Sequence, residues 1–382
     1  MTLEPSVCTE RGFPAPFLCS LDGYARRVRD AIPGLPDRDV QDRDVQDSDV
    51  LPCCLPRLTA PLHPATTMPL PALSDEEGPR LADDLPAVVD AHVHVFPPRL
   101  FAAVWRWFDQ YGWPVRYRLH ADEVVRFQLA RGVRHLVLLH YAHKPGIARD
   151  MNAFVADVMA RFPGRVTGLA TVAPGEERQE EILEEAFGRG LRGVKLHCHV
   201  QAMAADDVRL FSVYDLCAAR GLPVVIHAGR EPWSPHLPRD PHELCDVSRV
   251  LRVLQEFPRL KLCVPHLGAD EFAAYADLAR RFDRLWLDTT MMTSGFFDIG
   301  PWKQWVLSRP ERVLYGSDFP NLPYAWDREV RALAHHLPDA TLQRVLARSA
   351  QELFGIADGD IDKKGTANST ITKSGPKPTE TT

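Results

Sequence analysis

The chain has 382 residues, 45% of them hydrophobic, which is enough to bury a large core and fits either two ordinary domains or one large α/β barrel. Its net charge of -6 is spread over mixed signs, so a nucleic-acid partner is not expected and a small-molecule partner is the default. The eight cysteines include adjacent Cys53 and Cys54 but no C-x-x-C pair, which argues against a disulfide framework or zinc finger and for a reduced, cytoplasmic protein.

Residues 1–85 carry the repeat "DRDVQDRDVQDSDV" (Asp37 to Val50) and, up to Pro86, 13 of the 33 prolines; this composition cannot support a packed core, and the region is expected to be a mostly disordered extension. Tyr24 to Ala31 is the one short helical candidate there, and Met1 and Met68 are alternative starts. The opening residues lack the basic start and apolar run of a secretory signal, and no later stretch is long enough to span a bilayer, so no membrane association is expected.

The first strand, "AVVDAHVHV", places His92 and His94 on one face, because side chains alternate along a strand. A pair of satisfied core histidines would look the same, so the pair alone decides nothing. "FAAVWRWFDQYGW" (Phe101 to Trp113) follows with an aromatic-rich helical pattern expected to pack against the barrel, roofing of the pocket being the alternative. Further strand-like runs are "RHLVLLH", "RVTGLATV", "RGVKLHCHV", "LPVVIHAG", "LKLCVPHLG", "RLWLDTT" and "RVLYGSDFP", with amphipathic helical stretches between most of them. Eight strand-helix units over roughly 270 residues predict a closed (β/α)8 TIM barrel over residues 86–357. An open dinucleotide-binding sheet would need a glycine-rich turn after its first strand, and none follows Val95. Residues 358–382 are polar and read as a flexible tail.

On this scaffold the ligand-type residues gather at carboxyl ends of strands, where barrels of this kind build their active sites. His92 and His94 close the first strand, Lys195 and His197 lie in the fourth, His227 ends the fifth, His266 the sixth and Asp318 the eighth. Imidazoles with a carboxylate suit zinc best among divalent metals, with iron, manganese or cobalt as substitutes.

The ordered set "DAHVH", "GVKLH", "VVIHAG", "VPHLG" and "YGSDFP", across Val88 to Gly355, resembles the amidohydrolase superfamily of metal-dependent hydrolases. Within it the likeness is to the branch that includes aminocarboxymuconate-semialdehyde decarboxylase. The resemblance implies that His92, His94, His227 and Asp318 hold a catalytic metal, with His266 beside it as an acid/base group or second-metal ligand. A metal held by neutral imidazoles lowers the pKa of bound water from 15.7 to about 7, and Asp318 would take the water's proton while His266 polarises a carbonyl. Lys195 resembles the lysine that is carboxylated to bridge two metals in dihydroorotase-like members; single-metal relatives keep a similar lysine, and one metal per chain is expected. Its other role would be a buried cation paired with an active-site carboxylate.

Of the remaining polar residues, Arg230 is a candidate for a bidentate pair with a substrate carboxylate, or for an ordinary loop salt bridge. His143 is a substrate-binding candidate or a surface residue; His140 follows the second strand with it. His197 and His199 share the face of Lys195 if the fourth strand continues, as second-metal or supporting groups. Asp270 and Glu271 read as the start of a helix. The expected activity is hydrolysis of an amide, ester or lactone carbonyl of a small molecule. The alternative is nonoxidative decarboxylation of a small unsaturated or aromatic acid, and a third reading is a catalytically silent binding module, disfavoured by the intact ligand set. Composition leaves a homo-oligomer open.

Overall fold

A computed structural model describes residues 74–230, 239–297 and 300–361. The expected helix at 24–31, the repeat and the end of the C-terminal tail lie outside the described residues. The eight expected strands are present: β1 Val89–His94, β2 His135–Leu139, β3 Val166–Gly168, β4 Val194–His197, β5 Pro223–His227, β6 Lys261–Val264, β7 Leu285–Asp288 and β8 Val313–Leu314. All pair in parallel, in the ladders β1-β2-β3 and β4-β5-β6-β7-β8. Two seams close them into a barrel. Lys195 N donates to Ala170 O (2.7 Å) between β3 and β4, and His94 N donates to Phe319 O (2.8 Å) between β1 and the segment after β8. The fold is therefore the expected (β/α)8 barrel.

The helices between strands are amphipathic for the reason their spacing predicts. Val247–Glu256, for example, buries Val250, Leu251, Val253 and Leu254 while its polar residues face outward. Inside the barrel, Val89, Ala91, Val137, Leu139, Leu169, Val225, Cys263, Trp286 and Leu314 form a separate apolar cluster, on which Leu353, Phe354 and Ile361 also pack. Among the described residues no helix is long and apolar enough to cross a membrane.

Both expected boundaries of the barrel shift outward. Asp75 forms a buried ion pair with Arg328 (3.1 Å), Gly78 N donates to Asp327 Oδ2 (3.0 Å), Trp326 Nε1 donates to Gly78 O (3.1 Å), and the buried Leu81 donates its N–H to Arg131 O (2.8 Å). Residues 75–81 are thus part of the barrel, held by polar partners that a hydrophobic pattern cannot reveal. At the other end Asp358–Ile361 is helical, with Ile361 buried and Asp358 paired to Arg348 (2.6 Å), so the tail begins later than 358.

Candidate metal centre

Strand β1 has a register shift between Asp90 and Val93, beside the residues that matter most. Asp90 holds this stretch: its carboxylate accepts from His92 N (3.2 Å), Ser317 N (3.0 Å) and Ser317 Oγ (2.5 Å). Burial pushes Asp90 up to about 7 against those hydrogen bonds. Gly316 is required by close approach, since a Cβ there would lie 2.4 Å from Thr290 Oγ1 and 2.7 Å from His92 Cβ.

The buried rings of His92 and His94 meet with their Nε2 atoms 3.3 Å apart, and Asp318 Oδ1 lies 3.1 Å from His94 Nε2 and 3.4 Å from His92 Nε2. His92 Nδ1 donates to Asp288 Oδ2 (2.8 Å), so its Nε2 presents a lone pair to the other two atoms. A proton on His94 Nε2 can serve Asp318 or the His92 lone pair, but it leaves the contact between Asp318 Oδ1 and that lone pair without a hydrogen. A cation relieves all three contacts at once. A tetrahedral centre with bonds of 2.0–2.1 Å has edges of about 3.3 Å, so the three observed separations suit a metal. Charge agrees: burial, reinforced by Lys195, pushes His92 down to about 4, which keeps it neutral and able to ligate. Burial opposes ionisation of Asp318, but the hydrogen bond from His94 and the nearby His92 and His266 outweigh it and hold the group at about 2.

His266 follows β6 in a turn with positive φ (58°), and Asp318 also has positive φ (71°). Side chains with a Cβ visit this region rarely, and here it turns both residues into the barrel mouth. His266 Nδ1 donates to Thr290 O (3.1 Å), which leaves Nε2 for the site. Ligand atoms of His92, His266 and Asp318 lie within 4.8 Å of one another.

The expected four-ligand set is divided. His227 lies in a second group, with His197 and His199, whose ligand atoms also fall within 4.8 Å. The His197 and His227 rings stack at 4.1 Å and 7°, and parallel rings direct their lone pairs in separate planes, so this pair does not chelate one ion as it stands. His266 lies between the groups, its ring centroid 4.5 Å from that of His227 and 5.5 Å from that of His92. The fourth strand does not continue to His199: it ends at His197, and a helical turn, Cys198–Gln201, brings His199 to His227 instead.

Lys195 is fully buried, and its Nζ has no hydrogen-bond partner among the described residues. Burial pushes it down to about 8, against the nearby charges of Asp288 and Asp318. Arg230 is taken up by Glu271 Oε1 (2.5 Å) and Asp246 Oδ2 (3.4 Å), which is the salt-bridge alternative rather than a free carboxylate receptor. Glu271, expected only to begin a helix, is the other half of that clamp. His143 is exposed, and His140 is buried against Asn152 Oδ1 (3.1 Å). Sequence reasoning missed Asp288 and Thr290, although Asp288 ends β7 by the same rule that found the others.

A parallel eight-stranded barrel with two imidazoles and a carboxylate converging at its mouth defines a metal-dependent barrel enzyme. The family model described as Amidohydrolase matches residues 89–356, and the chain belongs to that family. The 6-methylsalicylic acid decarboxylase of Penicillium expansum is 27% identical over 336 residues, 72% of this chain and 99% of that protein. A 5-carboxyvanillate decarboxylase from Novosphingobium aromaticivorans, crystallised with manganese and 4-hydroxy-3-methoxy-5-nitrobenzoic acid, superposes with a TM-score of 0.55 at 17% identity, over 73% of this chain and 99% of that one. The 5-carboxyvanillate decarboxylase of Sphingomonas paucimobilis gives 0.51 at 19% identity, over 71% and 99%. The first of these relatives is named for the kind of activity placed second from sequence, and the two solved structures share the fold.

Proposed function

We propose that the protein is a nonoxidative decarboxylase of a small aromatic carboxylic acid carrying a hydroxyl next to the carboxylate. The observation that carries the reading is the likeness to 6-methylsalicylic acid decarboxylase over 99% of that protein's length. One divalent cation would be held by His92, His94 and Asp318, with His227, grouped with His197 and His199 in this structure, as the fourth ligand that the family resemblance implies. The donor set suits zinc, and manganese, present in one relative's structure, is the competing choice. When bound there, the cation would supply a positive seat for the oxygens of the substrate.

The protein's own task is to deliver a proton to carbon. His266, with Nδ1–H fixed on Thr290 O, carries the mobile proton on Nε2 and gives it to the ring carbon that bears the carboxylate. A C–H bond forms there, the bond to the carboxylate carbon breaks, its electron pair restores the aromatic ring and carbon dioxide leaves. His266 ends neutral and is reprotonated from water. Asp318, kept ionised beside it, stabilises the imidazolium before transfer.

The test is turnover of salicylate-type acids labelled with 13C in the carboxyl group, in heavy water, by protein loaded with zinc or manganese. Labelled carbon dioxide and one deuterium at the vacated carbon are expected at about one metal per chain, with His266→Asn losing turnover but keeping the metal. Hydrolysis of lactones or amides without carbon dioxide release from any acid in the panel would restore the hydrolytic reading.

A further inference from the structure

Asp288 is the last residue of β7, 1% exposed, and touches both halves of the site. Its Oδ2 accepts from His92 Nδ1 (2.8 Å) and its Oδ1 accepts from the backbone N–H groups of His266 (3.0 Å) and Thr290 (3.2 Å). Thr290 O in turn accepts from His266 Nδ1 (3.1 Å). A closed circuit therefore joins β1, β6 and β7 through one carboxylate.

We infer that Asp288 is a positioning residue that fixes the metal-binding tautomer of His92 and, through the same carboxylate, the turn that aims His266. This rests on the metal centre proposed above but not on the reaction it catalyses. The tautomer matters because an imidazole ligates through an unprotonated nitrogen: with the proton on Nδ1 facing Asp288, Nε2 is left bare toward His94 and Asp318. The turn matters because His266 has positive φ (58°), and its N–H bond to Oδ1 helps hold the backbone there.

The geometry makes the role specific to a carboxylate. Every group facing Asp288 in the circuit is a donor: the His92 ring N–H on one oxygen, two backbone N–H groups on the other. An asparagine has one acceptor and one NH2. If its oxygen serves His266 and Thr290, its NH2 faces His92 Nδ1 and favours the opposite tautomer, with the proton on Nε2 where the metal belongs. If its oxygen serves His92, the NH2 opposes two backbone donors and the His266 turn is released. Either way one half of the site is lost, although the side chain is nearly isosteric.

The test uses the full chain and needs no substrate. Zinc affinity, read by competition with a chromophoric chelator, should fall roughly 10- to 100-fold in Asp288→Asn. In a His92→Ala background the same substitution should change the residual affinity by no more than about twofold, since the effect runs through His92. An equal fall in both backgrounds would mean general loosening of the barrel mouth and overturn the assignment, as would a single variant whose zinc affinity and His266 side-chain 15N shifts both match wild type. Should Asp288→Asn fail to fold, side-chain 15N shifts of metal-free wild-type protein decide. His92 is expected with its proton on Nδ1, and a proton on Nε2 would refute the role. Absence of decarboxylation would leave these outcomes unaffected.

Discussion

Replacing Asp75 by alanine tests whether the segment before the first strand is structural. Asp75 pairs with Arg328 at 3.1 Å, with side-chain exposures of 8% and 2%, and Asp75 Oδ2 also accepts from Ala325 N (3.3 Å). Removing one partner of a buried ion pair costs about 3–5 kcal/mol. Against a typical total of roughly 5–15 kcal/mol that is a large fraction. The loss should reach the site, because Arg328 also donates to Ser294 O (2.8 Å) and the neighbouring Glu329 accepts from Met291 N and Thr293 N, in the loop after Asp288. Asp83, paired with Arg80 at side-chain exposures of 88% and 63%, is the internal control and should cost less than about 1 kcal/mol. Urea unfolding followed by tryptophan fluorescence reads both variants, with Trp326 bonded to Gly78 O as a local reporter. If Asp75→Ala unfolds at the same urea concentration as Asp83→Ala, the buried Asp75–Arg328 pair contributes nothing to stability and the reasoning from burial fails.

The clamp on Arg230 predicts that Arg230→Gln costs stability, on the order of 1–3 kcal/mol from the stranded Glu271, while KM for a carboxylate substrate changes less than about threefold. A KM rise of tenfold or more with unchanged thermal stability would return Arg230 to the substrate. His135, buried and hydrogen-bonded to Thr167 Oγ1 (2.9 Å), is pushed by burial from 6.5 down to about 4. Between those values the unfolded chain binds the proton and the folded chain does not, so stability is full above about pH 6.5 and is lost as pH falls toward 4. At pH 5 the loss from this one group is about 2 kcal/mol. Thermal melts from pH 7.5 to 5 should therefore be less steep in pH for His135→Gln than for wild type; parallel curves would show that His135 is protonated without cost.

The parts of the structure legible in the sequence are those governed by periodicity. Eight β-branched or leucine-rich runs with amphipathic stretches between them left few alternatives to a barrel, and the carboxyl-end rule placed His92, His94, Lys195, His197, His227, His266 and Asp318 at one mouth. What periodicity cannot supply is direction. His266 and Asp318 reach the centre through positive φ, which His and Asp adopt more often than most residues but far from always, so their identity alone does not announce the turn. β8 spans only Val313–Leu314, and the backbone beyond it carries Asp318 to the mouth.

Two readings that the sequence left open turn on the same cause. His199 lies near His227 because a helical turn follows β4 at His197, and Arg230 is engaged by Glu271, a partner 41 residues later in the chain. Residues 75–81 have no apolar period, so nothing local marks them as part of a core; the buried Arg328 and the Trp326 indole that bind them follow β8. Asp288 differs, because its position at a strand end was visible and only its function was not. A carboxylate that binds metal and one that orients a metal ligand occupy equivalent places in a (β/α)8 sequence, and they separate only when the partner of each oxygen is known. For Asp318 the partners are two imidazole Nε2 atoms; for Asp288 they are an Nδ1–H and two backbone N–H groups. The first arrangement suits a cation and the second is already satisfied by donors, which is the ground for proposing Asp318 as a metal ligand and Asp288 as a positioning residue.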